Sequence, residues 1–221
     1  MMKLSFIIEQ ARSGELANLS NKKYTDKTII SYINLALIAL YNRFELATEE
    51  AIITLRPDLP KTVYTLASSD ADVQVAGQPI VDYTFKNIVA AFNEDGTEIG
   101  INSEKDPFSI YTVAYNKVQV PLLGTNTYIS VLYRCNPEPV VFVDDGNGNA
   151  VDTEVALPTQ LLEAALHYIG YRAHGAINGN VQAENSTHYT RYLAACALAE
   201  TLGVVTANDT DELSVSKKGY A

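Results

Sequence analysis

The chain has 221 residues, 47% hydrophobic and 19% charged, an ordinary globular composition that supports a sizeable core as one domain or two lobes. Its formal charge of -10 argues against tight wrapping on nucleic acid, which needs Lys and Arg to displace the counterions on phosphate. No run of about 18 apolar residues is present, and the start, Met-Met-Lys-Leu-Ser-Phe, has neither a long apolar stretch nor a cleavage site. A protein made and kept in a cytoplasm is therefore expected.

Residues 3 to 13 read as a short helix with Leu4, Ile7, Ile8 and Ala11 on one side, ended by Gly14. A polar link follows from Glu15 to Tyr24. Thr25-Asp26 caps a second helix, Lys27 to Asn42. Its Ile29, Ile33, Leu37, Leu40 and Phe44 share one stripe, whereas Leu35 and Ile38 fall on the other side. Apolar residues on two sides predict burial on two sides, in the helix's own core and against something else.

The pattern then changes. Leu46 to Leu55, Val63 to Leu66, Val73 to Val75 and Ile80 to Phe85 read as strands. Ile88 to Phe92 and Thr97 to Ile101 flank Asn93-Glu94-Asp95-Gly96, a hairpin turn signal. Ser109 to Val113, Val118 to Val120 and Tyr128 to Arg134 complete the set, the last with strict alternation. Residues 135 to 155 are a long connection in which Val140 to Val143 is a further strand candidate. Short β runs at this spacing point to a small sandwich or barrel.

The C-terminal third returns to helical spacing. Pro158 stops what precedes it, Thr159 is a candidate N-cap, and one amphipathic helix runs from Gln160 to Ile177. Asn178-Gly179-Asn180 breaks the pattern, and a second helix runs from about Gln182 to Leu202. The expected fold is α+β: N- and C-terminal helices (1–45 and 156–203) in one bundle, a central antiparallel β lobe (46–155), and an extended tail (204–221).

Glu163, His167 and His174 lie within about 40° of one another on a helical wheel, with His188 on the partner helix. Carboxylate and imidazole on one stripe can bind zinc. The stripe lies away from Leu162, Ala165, Leu166, Ile169, Ala173 and Ile177, so it is expected to face solvent or a neighbour. His167 and His174 are also about 10 Å apart along the axis, too far to share one ion. Cys196 and His188 are more than two turns apart on one helix and cannot form a thiol–imidazole pair. Cys135 and Cys196 read as buried free thiols. Asp145, Asn147 and Asn149 have the start of a calcium-loop spacing, but Ala150 and Ala156 stand where its Gly and Glu are required, leaving turn chemistry. No phosphate-loop, dinucleotide, nucleophile-elbow or HExxH motif is present. Neither catalytic residues, a cofactor nor a metal is expected.

Tyr24-Thr-Asp-Lys-Thr-Ile-Ile-Ser-Tyr-Ile-Asn-Leu-Ala-Leu, continued to Phe44 and followed by the strand Ala51 to Leu55, resembles the second helix of a known family. Val155-Ala-Leu-Pro-Thr-Gln-Leu-Leu-Glu-Ala-Ala-Leu-His-Tyr-Ile-Gly-Tyr-Arg-Ala-His resembles that family's Leu-Pro-led helix. Tyr133-Arg134 with Pro137 fits the end of its β stretch. The family is the head-to-tail adaptor (connector) proteins of tailed bacteriophages, above all the tail-tubular-protein-A type of short-tailed phages. The resemblance implies a structural, non-catalytic virion protein. It would form a ring, usually twelvefold, beneath the portal protein, assembled in the host cytoplasm and located in the neck. Its partners would be its own copies, the portal, a tail tube or nozzle protein, and double-stranded DNA passing through the lumen without sequence-specific binding. No membrane is implied, and an acidic wall suits a channel that must not grip DNA.

A ring uses a heterologous interface, so each subunit must present two different adhesive surfaces. Leu198 and Leu202, with Leu35 and Ile38, are expected to meet a neighbour or the portal. The tail, through Val204, Val205, Leu213 and Tyr220, is expected to order on docking to a partner ring. The alternatives are another neck or tail-completion ring protein, a small metal-dependent hydrolase using Glu163, His167 and His188, or a β-lobe module binding glycans or receptors.

Overall fold

The computed structural model describes residues 2–20, 22–56, 63–67, 70–75, 85–121, 127–146, 148–175, 183–203 and 205. In chain order the elements are β1 (Met2–Lys3), α1 (Leu4–Ser13), α2 (Asp26–Arg43), β2 (Thr48–Thr54), β3 (Val63–Thr65), β4 (Val73–Val75), β5 (Phe85–Asn93), β6 (Tyr111–Ala114), β7 (Lys117–Gln119), β8 (Tyr128–Cys135), β9 (Glu154–Val155), a 3-10 turn (Thr159–Leu161), α3 (Leu162–Gly175) and α4 (Ala183–Thr201). They fall into two compact units, Met1–Leu46 with Pro137–Ala221, and Ala47–Asn136. The fold is α+β, with the N- and C-terminal helices packed together.

In the helical unit α3 packs against α1, α2 and α4. The α2 stripe of Ile29, Ile33, Leu37, Leu40 and Phe44 is buried along its length, as its spacing predicts, together with Leu4, Ile7, Leu161 and Ile169. Thr25 makes no side-chain cap; its hydroxyl meets that of Thr28 at 3.2 Å. Asp26 instead receives Arg12 Nη2 at 2.6 Å and the Ala150 amide at 3.0 Å, joining three segments. Thr159 is not a cap either: it opens the 3-10 turn behind Pro158, which has no capping side chain.

The connection after residue 136 belongs with the helices rather than the β lobe. Val140, Phe142 and Ala150 pack on the helical core, and the Asn34 amide bonds Val140 in both directions, at 2.9 and 2.8 Å. A non-helical segment held against a core needs such partners for its backbone groups. Val140 to Val143 forms no strand. Further on, β9 pairs antiparallel with β1, and the Leu4 amide donates to Thr153 O at 2.8 Å. The helix break at Asn178-Gly179-Asn180, the tail beyond Val205 and most of the Ile80–Phe85 strand candidate lie outside the described residues.

The β unit holds a four-stranded antiparallel sheet, β4-β2-β8-β5, and a three-stranded one, β3-β7-β6. Along β8 the period-2 pattern places Ile129, Val131 and Tyr133 in the core, with Tyr128, Ser130 and Leu132 less covered. These join Ala51 and Ile53 of β2 and Tyr64 and Val118 of the other sheet in one apolar cluster. Among the described residues neither sheet closes, so of the sandwich and the barrel that the strand spacing allows, the barrel does not form. Closure requires each strand to pair on both sides, and β4 and β5 end the larger sheet with one paired side each. The turn at Asn93 is as predicted: Asn93 and Thr97 bond at 3.0 Å, and Gly96 takes φ 75°, which a side chain rarely adopts. Thr97 to Ile101 is not a full strand and makes only the single bridges Phe92↔Glu98 and Ile101↔Ile110.

Candidate assembly interface

Helix α4 buries Tyr192, Cys196 and Ala199, spaced at four and three residues, against α3 and the core. Its remaining apolar side chains are left outside. Leu198 is 55% and Leu202 66% exposed on one flank, while Tyr189 and Leu193 are exposed on another. Between the flanks the outward face is small: Thr190, Ala194, Ala197 and Thr201 are all exposed. Small residues permit close backbone approach by another helix. On α2, Leu35 is half-buried and Ile38 exposed. Arg43 Nε, at the end of α2, meets Glu200 at 2.9 Å and so ties the C-terminal ends of α2 and α4 together. Val205 is half-buried against the helical core, whereas Val204, Leu213 and Tyr220 lie outside the described residues.

The Glu/His stripe has the expected environment at one end only. Glu163 faces solvent, whereas the link after α1 crosses His167 and His174. Leu16 and Tyr24 bury this link, and Tyr24 donates its hydroxyl to Ala173 O at 3.1 Å. Glu15 thereby comes between the helices: Oε1 is 2.8 Å from His167 Nδ1, and Oε2 is 2.6 Å from His188 Nδ1, the latter in contact without hydrogen-bond alignment. Glu163 remains exposed and reaches His167 Nε2 at 3.6 Å. Among the described residues no three His, Cys, Asp or Glu side chains are placed to share one metal ion.

Residues 5–215 match the SU10 adaptor protein family. The chain belongs to that family. It is a phage adaptor, and the family points to a structural protein rather than an enzyme. No curated protein matches the chain.

Other features of the adaptor fit a non-catalytic role. Burial pushes the Cys196 thiol and the Tyr192 phenol up from their ordinary values. Burial, with Glu49 beside it, pushes Cys135 up to about 12, so neither cysteine is an activated nucleophile. Asp144 spends its Oδ1 on the amides of Gly146 and Gly148, at 2.8 and 2.9 Å, and Asp145 bonds the Asn149 amide at 3.1 Å. These carboxylates shape their own loop. Among the described residues no helix is long and apolar enough to cross a membrane.

Sequence reasoning placed the exposed leucines on α4 correctly by periodicity. It missed Glu15, because nothing in a polar link signals that its one carboxylate will be covered.

Proposed function

We propose that the adaptor assembles into a ring beneath the portal, usually twelvefold in the tail-tubular-protein-A type, joining capsid to tail and continuing the DNA channel. The observation that carries this reading is the face of α4. Leu198 and Leu202 stand exposed on a helix whose other side already completes a core, flanking a strip of alanines and threonines. Covering an exposed leucine side chain contributes about 1.5–3 kcal/mol, so a conserved-symmetry contact repeated around a ring gains at every subunit. Ile38 and Leu35 on α2 extend the adhesive surface. The helical unit forms the wall, the β lobe reaches the tail or nozzle protein, and the tail (204–221) docks on the portal through Val204, Val205, Leu213 and Tyr220. The chain's negative charge keeps double-stranded DNA from adhering to the lumen.

The test is the assembly state of Leu198→Asp/Leu202→Asp, alone and with portal, by sedimentation or native mass spectrometry. The ring reading expects loss of the large species with the monomer still folded, and unchanged assembly and portal binding overturns it. Truncation after Gly203 separates the tail's role: portal affinity that does not fall removes the tail from the interface.

A further inference from the structure

All three histidines of the chain gather around one glutamate. Glu15 lies on the link after α1, with its side chain 14% exposed. His167 and His188 approach its two carboxylate oxygens from α3 and α4. The third histidine takes the main chain of the same residue: His174 Nε2 is 3.0 Å from Glu15 O. A carbonyl only accepts, so Nε2 carries the proton, and neutral His174 has a bare Nδ1. The rings of His174 and His188 stack, with centroids 4.6 Å apart and planes 17° from parallel. Gly170 makes room for this arrangement. A Cβ there would stand 2.8 Å from Glu15 Oε2 and 2.9 Å from His188 Nδ1.

We propose that Glu15 and the three histidines form a proton-gated clasp, which holds the link between α1 and α2 on the α3–α4 pair at neutral pH and releases it in mild acid. The charged and titratable groups facing the cluster are Glu15 from the link, Glu163, His167 and His174 from α3, and His188 and Arg191 from α4. A proton on His188 would be placed 4.6 Å from the stacked His174 ring, in a site mostly screened from water where burial disfavours the charge. Burial pushes His188 down. Glu15 opposes that shift, whereas His174, Arg191 and His167 add to it. The folded chain therefore binds this proton less well than the unfolded chain. The clasp contributes fully above the ordinary imidazole value of 6.5 and weakens as pH falls through it. The Tyr24–Ala173 bond holds the far end of the link without Glu15 or a histidine, so the release is a local opening rather than unfolding.

The link carries its own reporters: the amides of Leu16, Ala17 and Leu19 donate to Ala11 O, Gly14 O and Leu16 O at 2.9, 3.1 and 2.9 Å. Their hydrogen-exchange protection in the full-length chain, corrected for intrinsic rates, is compared at about pH 7.5 and about pH 5.5. The expected result is a drop of about fivefold or more, the low end of typical coupling between sites. Amides of β8 should not share it. Glu15→Gln should lower link protection already at neutral pH, and His174→Gln/His188→Gln should make it independent of pH. Wild-type protection that does not change with pH overturns the clasp, as does an equal drop in the double variant. If that variant does not fold, the ring-proton titration of wild-type His188 decides: a midpoint below the ordinary imidazole value that tracks link opening supports the clasp, and a midpoint at or above that value overturns it.

Discussion

In the helical unit Leu4 bonds Thr153, Tyr24 bonds Ala173 and Tyr41 bonds Ala156, so its core closes only when the last third of the chain is present. In the β unit the entering strand β2 pairs with the departing strand β8, Thr48 opposite Arg134, and residues 47–136 make their cluster among themselves. The first unit is a discontinuous structure tied across the whole sequence, and the second is an insertion whose two ends are adjacent. The histidines follow the same line and all lie in the helical unit, whereas each unit buries its own tyrosine and cysteine, Tyr133 and Cys135 in one and Tyr192 and Cys196 in the other. A unit closed late from distant segments has more polar crossings to satisfy, and Glu15, Asn34 and Asp26 are the residues that satisfy them.

The strongest way to break this contrast is to cut into each core separately. Leu40→Ala and Ile53→Ala are each expected to cost about 2–5 kcal/mol by loss of burial and cavity formation. Backbone amide NMR signals of α2 should register the first and those of β8 the second. A single transition shifted equally by both would merge the two units into one cooperative block. Gly170→Val comes next, at about 1–3 kcal/mol from overpacking against Glu15 and His188, read by chemical denaturation. No matching loss is expected from an exposed β-unit change such as Val113→Thr.

The dependence on pH sharpens the contrast further. Mild acid should weaken the helical unit alone, because the depressed His188 contributes stability that is lost as pH falls below about 6.5. Alkali should not discriminate. Raised Cys135 and Tyr133 in one unit, and raised Cys196 and Tyr192 in the other, retain protons that the unfolded chain releases. Stability from the two thiols is therefore full below about pH 9 and falls as pH rises past it in both units. Thermal melts across pH, followed at the two signals above, check both signs. The smallest effect on folding is expected from Leu198→Asp/Leu202→Asp, within about 0.5 kcal/mol per site because both side chains are exposed. Its effect should appear in assembly, and a large loss of monomer stability would place those leucines in the core instead.

Local physics made much of the chain legible in advance. The α2 stripe, the alternation along β8, the Asn93–Thr97 turn with Gly96 and the exposed leucines of α4 all follow from periodicities of 3.6 and 2 or from a turn's demand for left-handed backbone. Those are properties of neighbouring residues and are set by their local order along the chain. The α+β order of elements follows from the same local patterns taken in order, while the family resemblance rests on the residue identities of the segments from Tyr24 and from Val155.

What lies across an element is set by long-range packing. A helical wheel orients His167 and His174 relative to their own helix but says nothing of a link returning from 150 residues away to cover them. Likewise the pairing of Asn34 with Val140 draws the 137–155 connection onto the helices, and the one-sided pairing of β4 and β5 leaves the sheets open. Desolvation, pKa shifts and sheet closure depend on which distant groups come within a few ångströms. That is why a chain with three ordinary histidines folds them around a single half-buried carboxylate.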